Sequence, residues 1–346
     1  KNNFPVKPGL YKDVQCVDIK SAYPFAMASF PSFSQRDLYL RFHPKAGFKS
    51  VPSFGIYKIT GTAALTPWPI IFDHAFKPVY GEFEGIWITG FELNRAIEQH
   101  LVKVTLCEGY FYDAARDKVI SPFASYVDHF YSQKERKGIP KSERDFYKIL
   151  MNALYGKLIE TRGASSLLNV RYDVDTSTHE MSLELVTGTL FNPFIATLIT
   201  GHTRAYIHTL ETDFRAIHTS TDGIMTQSKV PKGDLGNELG EINIEAQGDV
   251  LLLRNKLYIV YTKDKGKAAR DRNGKPIASI LQVGSYIQKY ALHGFFGDVR
   301  LLETLVKTGT REYEYTKVNK LRESLRRNLK VNRFEKQQRT LNLPGD

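Results

Sequence analysis

Residues 121–158 constrain the fold most. They read SPFASYVDHFYSQKERKG and then, past Ile139-Pro140, KSERDFYKILMNALYGKL, with apolar residues at helical spacing on both sides of the break. Proline ends a helix at its predecessor, so two helices are expected here. Shorter β-rich runs surround them. VQCVDI (14–19) reads as a strand, broken by SAYPFAM at Pro24, and FGIYKITG lies in a Pro-, Gly- and aromatic-rich stretch from 31 to 84. Residues 162–190 give short polar strand-like pieces, FRAIHTSTDGIMTQ a hairpin, and DVLLLRNKLYIVYT one strong strand. FIATLITGHTRAYIHTLE (194–211) is expected to be helical, and LRESLRRNLKVNRFEKQQR a basic helical tail. Strands and helices mixed in this way, with no internal repeat, make an α+β chain.

At 346 residues the chain has room for roughly two domains of about 150 residues each. Its 48 Lys+Arg against 37 Asp+Glu leave a formal +11, which favours an anionic partner. Nucleic acid is the first candidate and an acidic membrane surface the second. The two cysteines, Cys16 and Cys107, have no metal-ligand spacing, so neither a disulfide framework nor a zinc site is supported. A reducing compartment fits, and cytoplasmic location is expected. No apolar run is long enough to span a bilayer, and KNNFPVKPGL has no signal-peptide pattern. That opening reads like the interior of a longer protein.

The helix over 141–158 carries Arg144, Lys148 and Asn152 four residues apart, with Tyr155 three further on. Phe146, Leu150, Leu154 and Leu158 form another side suited to a core. A solvated polar face is the ordinary reading of such a pattern. Gly156 argues against it, because glycine costs about 1 kcal/mol relative to alanine inside a helix; close approach by a ligand or another backbone would explain it. Cations one turn apart suit a triphosphate, and a phenol beside glycine suits a base. Asp18, ending an apolar strand before a turn, could hold a cation or cap the next helix. Asp222-Gly223 could be a plain hairpin turn.

In order and spacing these pieces resemble the family B DNA polymerases. Motif A, D-x-x-S-L-Y-P, is matched by Asp18, Ser21, Tyr23 and Pro24, with Ala22 for leucine. Motif B, K-x-x-x-N-S-x-Y-G, is matched by Lys148, Asn152, Tyr155 and Gly156, with Ala153 for serine. Motif C, D-T-D-S, reads Ser220-Thr221-Asp222-Gly223; Thr200 and Arg204 resemble the T-x-x-G-R region, and Lys256 and Tyr258 the K-x-Y. Motifs in the right order from residue 18 to 258 carry weight that none has alone.

The resemblance implies a right-hand polymerase: an antiparallel palm sheet backed by helices, helical fingers and a small thumb. It assigns 1–30 and 192–283 to the palm, 31–118 to a first insertion, 119–160 to the fingers, 161–191 to a second insertion and 284–346 to the thumb. The insertions are similar to those of the protein-primed branch of phages and linear plasmids and of the self-priming polymerases of mobile elements. There the first meets a terminal protein or template and the second encircles DNA.

The implied chemistry is DNA-templated transfer of dNTPs with two divalent ions, Mg²⁺ or Mn²⁺. Asp18, Ile19 and Asp222 would hold the ions. Lys148, with Arg144, would bind the triphosphate, and Ser21, Ala22, Asn152 and Tyr155 would line the nucleotide site. Tyr23 would block a ribose 2′-hydroxyl. Gly156, Thr200, Arg204, Lys256 and Tyr258 would hold primer-template DNA, and the tail from Arg322 to Arg339 would lie along duplex phosphates. Bland readings stand beside these: Arg204 as an ion-pair partner in a helix, NKLY as a strand end. The chain is expected to act as a monomer, without a membrane, with a terminal protein as a possible primer.

Ser220 departs from the family by removing a carboxylate, a change the self-priming branch tolerates. Nothing before Asp18 resembles the D-x-E of a proofreading exonuclease. The competing reading is a silent relative that only grips nucleic acid; retention of Asp18, Asp222 and Lys148 speaks for the enzyme. A reverse transcriptase or RNA polymerase palm is disfavoured by Tyr23 and by the Lys148 to Gly156 motif.

Overall fold

The computed structural model describes residues 7–31, 40–42, 48–112, 121, 123–162, 186–318 and 334–343. In chain order, β1 (Gly9–Ile19), α1 (Ala22–Ala28), β2 (Leu40–Phe42), β3 (Gly55–Ala63), β4 (Gly81–Thr89), α2 (Gly90–Glu98) and β5 (Val102–Phe111) come first. They are followed by α3 (Ala124–Lys134), α4 (Lys141–Leu158), β6 (Thr161–Arg162), β7 (Val186–Thr187) and α5 (Pro193–Asp213). Then come β8 (His218–Ser220), β9 (Gly223–Thr226), β10 (Ile242–Arg254), β11 (Leu257–Thr262), β12 (Tyr286–Leu292), α6 (Val299–Thr308), β13 (Glu312–Val318) and β14 (Phe334–Thr340). The chain divides into two compact units, one of Lys1–Asp18, Leu210–Leu235 and Asn243–Asp346, the other of Ile19–Thr209 and Gly236–Ile242.

The first unit is built on a six-stranded sheet ordered β12-β11-β10-β1-β9-β8. Strand β11 shows why the sheet is central: all of Leu257–Thr262 is buried, because it lies between β10 and β12 and both its faces are covered. Leu257, Ile259 and Tyr261 join α6 and β13 residues such as Leu302, Leu305 and Tyr313 in one core. Tyr258 and Val260 point the other way, to Val14, Cys16 and Met225, as the two-residue strand period requires.

The second unit packs helices around an antiparallel sheet ordered β2-β5-β3-β4. Alternating burial along β3 turns Tyr57, Ile59 and Ala63 onto Leu93 and Ala96 of α2. A second core joins Ala26, Met27 and Phe30 of α1 to Val127 of α3, Leu158 of α4 and Ile195, Leu198 and Ile199 of α5.

Several sequence expectations need correction. DVLLLRNKLYIVYT is two strands: β10 and β11 pair antiparallel across a turn at Asn255-Lys256, where Lys256 adopts φ 56°. The strand does end before SAYPFAM, at Ile19, but not at Pro24, which falls in the first turn of α1, where no intrahelical N–H bond is lost. The end of the expected helical tail is a strand, β14, paired with β13; its part over 319–333 lies outside the described residues. Of the strand-like pieces over 162–190, 163–185 also lie outside them, and Thr161–Arg162 pairs with Val186–Thr187. On α4, Phe146 is exposed and Met151 is fully buried, so the core face runs through Met151 and Leu158 with Leu154 and Tyr155 half-buried.

Candidate active site

Asp18 lies near the end of β1, in a run whose apolar neighbours Val17 and Ile19 are buried while Asp18 itself is half-buried. Strand β9 pairs with β1 in the register Val17↔Ile224 and Asp18↔Gly223. That register sets Asp18 beside the β8–β9 turn, one residue from Asp222. Gly223 is required there, because a Cβ on it would stand 2.7 Å from the Val17 carbonyl oxygen and 3.0 Å from Asp18 Oδ1. The two carboxylates far apart in sequence thus lie within one unit, Asp18 on β1 and Asp222 in the turn that leads into its neighbour β9. Ile19 has a buried side chain, so only its backbone oxygen is suited to an ion.

The turn differs from an ordinary Asp-Gly hairpin. Left-handed backbone falls on Thr221, at φ 55°, and not on Gly223. A β-branched residue rarely adopts this conformation, and such strain gathers at functional turns. Asp222 N–H bonds to the Ser220 carbonyl at 2.7 Å, and Lys256 Nζ donates to Thr221 Oγ1 at 2.9 Å. The tip of the β10–β11 hairpin therefore clasps the tip of the β8–β9 hairpin.

Beneath this turn lie buried polar groups. His218 is fully buried with neither ring nitrogen hydrogen-bonded, and burial, aided by the Lys256 charge, pushes its pKa down to about 4. Its ring stands 6.2 Å from that of Tyr258. Tyr258 is 6% exposed; burial raises its pKa, and the Asp18 carboxylate is among the anions that add to the effect. Glu211 at the end of α5 accepts a 2.6 Å bond from Thr219 Oγ1, and burial pushes its pKa up to about 7.

In the other unit, Arg144, Lys148, Asn152 and Gly156 lie exposed along α4. A Cβ added at Gly156 would meet nothing within 4 Å, so no described backbone of the chain presses on it. Tyr155 stacks obliquely on Tyr23, ring centroids 4.9 Å apart and planes at 32°. Ser21 caps α1 in a left-handed conformation without a side-chain capping bond, and Lys134 of α3 donates to its Oγ at 3.1 Å. Ala22 is buried behind it.

Thr200 and Arg204 are engaged within the protein. Thr200 Oγ1 bonds to the Thr197 carbonyl at 2.9 Å, and Arg204 grips Glu92 in a bidentate pair, Nε to Oε1 at 2.5 Å and one Nη to Oε2 at 3.0 Å. Sequence reasoning missed Glu92 and Lys134. The Thr89-x-x-Glu92 capping box ahead of α2 was a readable sign of the former; the latter had no local signal.

Residues 4–158 match the family model described as DNA polymerase type B, organellar and viral, a span holding Asp18 and the α4 motif. The chain superposes on phi29 DNA polymerase bound to primer-template DNA and incoming nucleotide with a TM-score of 0.63, at 16% identity, over 99% of this chain and 60% of that one. The chain has the fold of phi29 DNA polymerase. The phi29 complex with primer-template DNA alone matches with a TM-score of 0.62, again at 16% identity and with the same coverage. A DNA polymerase of Kluyveromyces lactis is 27% identical over 169 residues, 44% of this chain and 16% of that protein. The chain thus spans less than two thirds of the relatives it matches. In this fold the α+β class and the antiparallel sheets expected from the sequence are present. Both cysteines are free and buried. No helix among the described residues is long and apolar enough to cross a membrane.

The polymerase resemblance implies divalent ions, and the donor set bears on them. No cluster of three or more His, Cys, Asp or Glu side chains occurs among the described residues, so a zinc-type cage is not offered. One carboxylate on β1 and one in the turn entering the neighbouring β9, with a backbone oxygen beside the first, suit magnesium, which keeps waters and takes few protein ligands.

Proposed function

We propose that the chain is a DNA-templated DNA polymerase of the phi29 type, adding dNTPs to a primer 3′-hydroxyl or to a hydroxyl supplied by a protein. The observation that carries this reading is the Asp18↔Gly223 register, which sets Asp18 beside the turn holding Asp222, within a fold shared with phi29 polymerase. Two ions of Mg²⁺, or Mn²⁺, held through Asp18, Asp222 and the Ile19 carbonyl, would supply Lewis-acid activation of the attacking hydroxyl and charge neutralisation at the leaving pyrophosphate.

The chain's own residues would do the rest. Lys148 and Arg144, exposed a turn apart, would take the triphosphate and offset charge that grows during transfer. Asn152, Ser21 and Ala22 would border the nucleotide, and Tyr155 would pack near its base. Tyr23 would stand where a ribose 2′-hydroxyl would fall. Gly156 lets a bound strand or nucleotide approach the helix closely. Thr200, Lys256 and Tyr258 are assigned to primer and template, with Tyr258 acting from inside the sheet's core through the strand it anchors.

Ser220 leaves the turn one carboxylate short of the usual pair, and the Lys256–Thr221 bond gives that turn a fixed shape in its place. The test is primer extension by the purified chain. Extension that requires template, is abolished by EDTA and returns with Mg²⁺ or Mn²⁺ is expected; DNA binding with no extension under either ion would favour a silent nucleic-acid binder.

A further inference from the structure

The T-x-x-G-R resemblance assigns Arg204 to DNA, yet its bonds lead elsewhere. Glu92 is 4% exposed, and its Oε2 accepts from Thr89 Oγ1 at 2.7 Å as well as from Arg204. Helix α5 meets the start of α2 one turn before Arg204: a Cβ on Gly201 would overlap the Thr89 side chain. The carboxylate and guanidinium therefore sit where two helices are locked at close range, and their fork fixes the guanidinium plane.

Two tyrosines share that neighbourhood. Tyr23 and Tyr155 stack on each other and pack on the core to which α5 contributes Ile195, Leu198 and Ile199. Burial works against the Arg204 charge, and Glu92 together with the Tyr23 and Tyr155 phenols more than offsets it. Burial raises the Tyr155 pKa while Arg204 pulls it down. A guanidinium has five N–H donors, so a two-point clasp by Glu92 leaves others available to groups beside it.

We infer that Arg204 and Glu92 form a positioning pair that holds the Tyr23–Tyr155 rings in the arrangement that rejects ribonucleotides. The inference rests on the polymerase reading. A charge pair locked to two helices defines one orientation for phenols beside it. Without it the rings can rotate away from the space a 2′-hydroxyl would need, and small misplacements in such sites change rates by on the order of tenfold to a hundredfold.

The decisive experiment compares incorporation of dCTP and CTP by the parent, Glu92→Gln and Arg204→Lys, alongside the affinity of each for primer-template across a salt series. Glu92→Gln keeps the shape and the Thr89 bond and loses the charge; Arg204→Lys keeps the charge and loses the fork. Both variants should lower discrimination against CTP by roughly tenfold or more and raise KM for dCTP more than they lower kcat, an effect of site geometry. Both should bind DNA as the parent does, with the same salt slope. An unchanged dCTP:CTP ratio in folded variants overturns the inference. So does Arg204→Lys weakening DNA binding with a salt slope reduced by about one, the mark of a lost phosphate contact.

A readout free of catalysis separates this inference from the reading beneath it. Tyrosine-ring ¹³C resonances, assigned with Tyr23→Phe and Tyr155→Phe, should both move in Glu92→Gln. Rings that stay in place overturn the positioning role, whereas a parent that fails to extend any primer overturns the polymerase reading.

Discussion

Glu211 shows how much a buried carboxyl can set the behaviour of this protein. It lies under the β8–β9 hairpin, holding Thr219, and its pKa is pushed up to about 7 by burial. In the unfolded chain it would ionise near 4.5, so between about 4.5 and 7 the unfolded state is charged while the folded state is not. Stability is therefore highest below this window, falls as pH rises through it, and carries the full penalty above about 7. Glu211→Gln retains an acceptor for Thr219 and cannot ionise. It is expected to be more stable than the parent at pH 8.5 by on the order of 2–3 kcal/mol, with no gain below pH 4.5, measured as urea midpoints. At this scale the sequence was only partly legible. Asp18 and Asp222 stood out by type and spacing, but a lone Glu in the helix TLETD gave no sign of burial or of its bond from Thr219, which only the folded chain decides.

Among the elements, α4 carries the largest share of the proposed nucleotide site. Its polar face, Arg144, Lys148 and Asn152, was readable from the four-residue spacing and is exposed in the structure. Its apolar face was misjudged: Phe146 belongs to the i,i+4 row with Leu150 and Leu154, yet it is 55% exposed while Met151 is fully buried. Periodicity gives the stripe, and the neighbouring α1 and α3 choose which part of it is covered. Hairpin tips were the other blind spot, because left-handed Thr221 and Lys256 are residue types that no turn rule favours. Gly156 separates helix energetics from use. With open space around it, Gly156→Ala is expected to raise stability by about 0.5–1 kcal/mol, since alanine is the better helix former. If a nucleotide or DNA strand lies against that spot, the same change lowers single-nucleotide incorporation several-fold. Thermal unfolding and kcat/KM on one preparation read both effects.

For the whole molecule, the surplus of 48 Lys+Arg over 37 Asp+Glu sets the terms on which any polyanion is met. Binding driven by neutralised phosphates weakens linearly in log affinity against log salt, with slope about −0.9 per contact on duplex DNA. Primer-template affinity is expected to fall by on the order of tenfold or more between 50 and 200 mM KCl, while the dCTP:CTP preference stays constant if, as proposed, the Tyr23 and Tyr155 rings set choice and charge sets only encounter. Fluorescence anisotropy across a salt series checks the first, and competition incorporation the second. Fold class was legible through the polymerase resemblance, which implies that Asp18 and Asp222 come together, and β1, bearing Asp18, does pair with β9, which begins one residue after Asp222. The sequence could not show the division of the chain into two units cut after Asp18 and Thr209, since that division follows contacts and not composition. The central claim is that Asp222 and Asp18 act on one reaction, and Asp222→Asn tests it most directly. In a single-nucleotide extension assay with Mg²⁺, the folded variant is expected to lose at least about a hundredfold in rate while binding primer-template like the parent; extension at the parental rate would contradict the account.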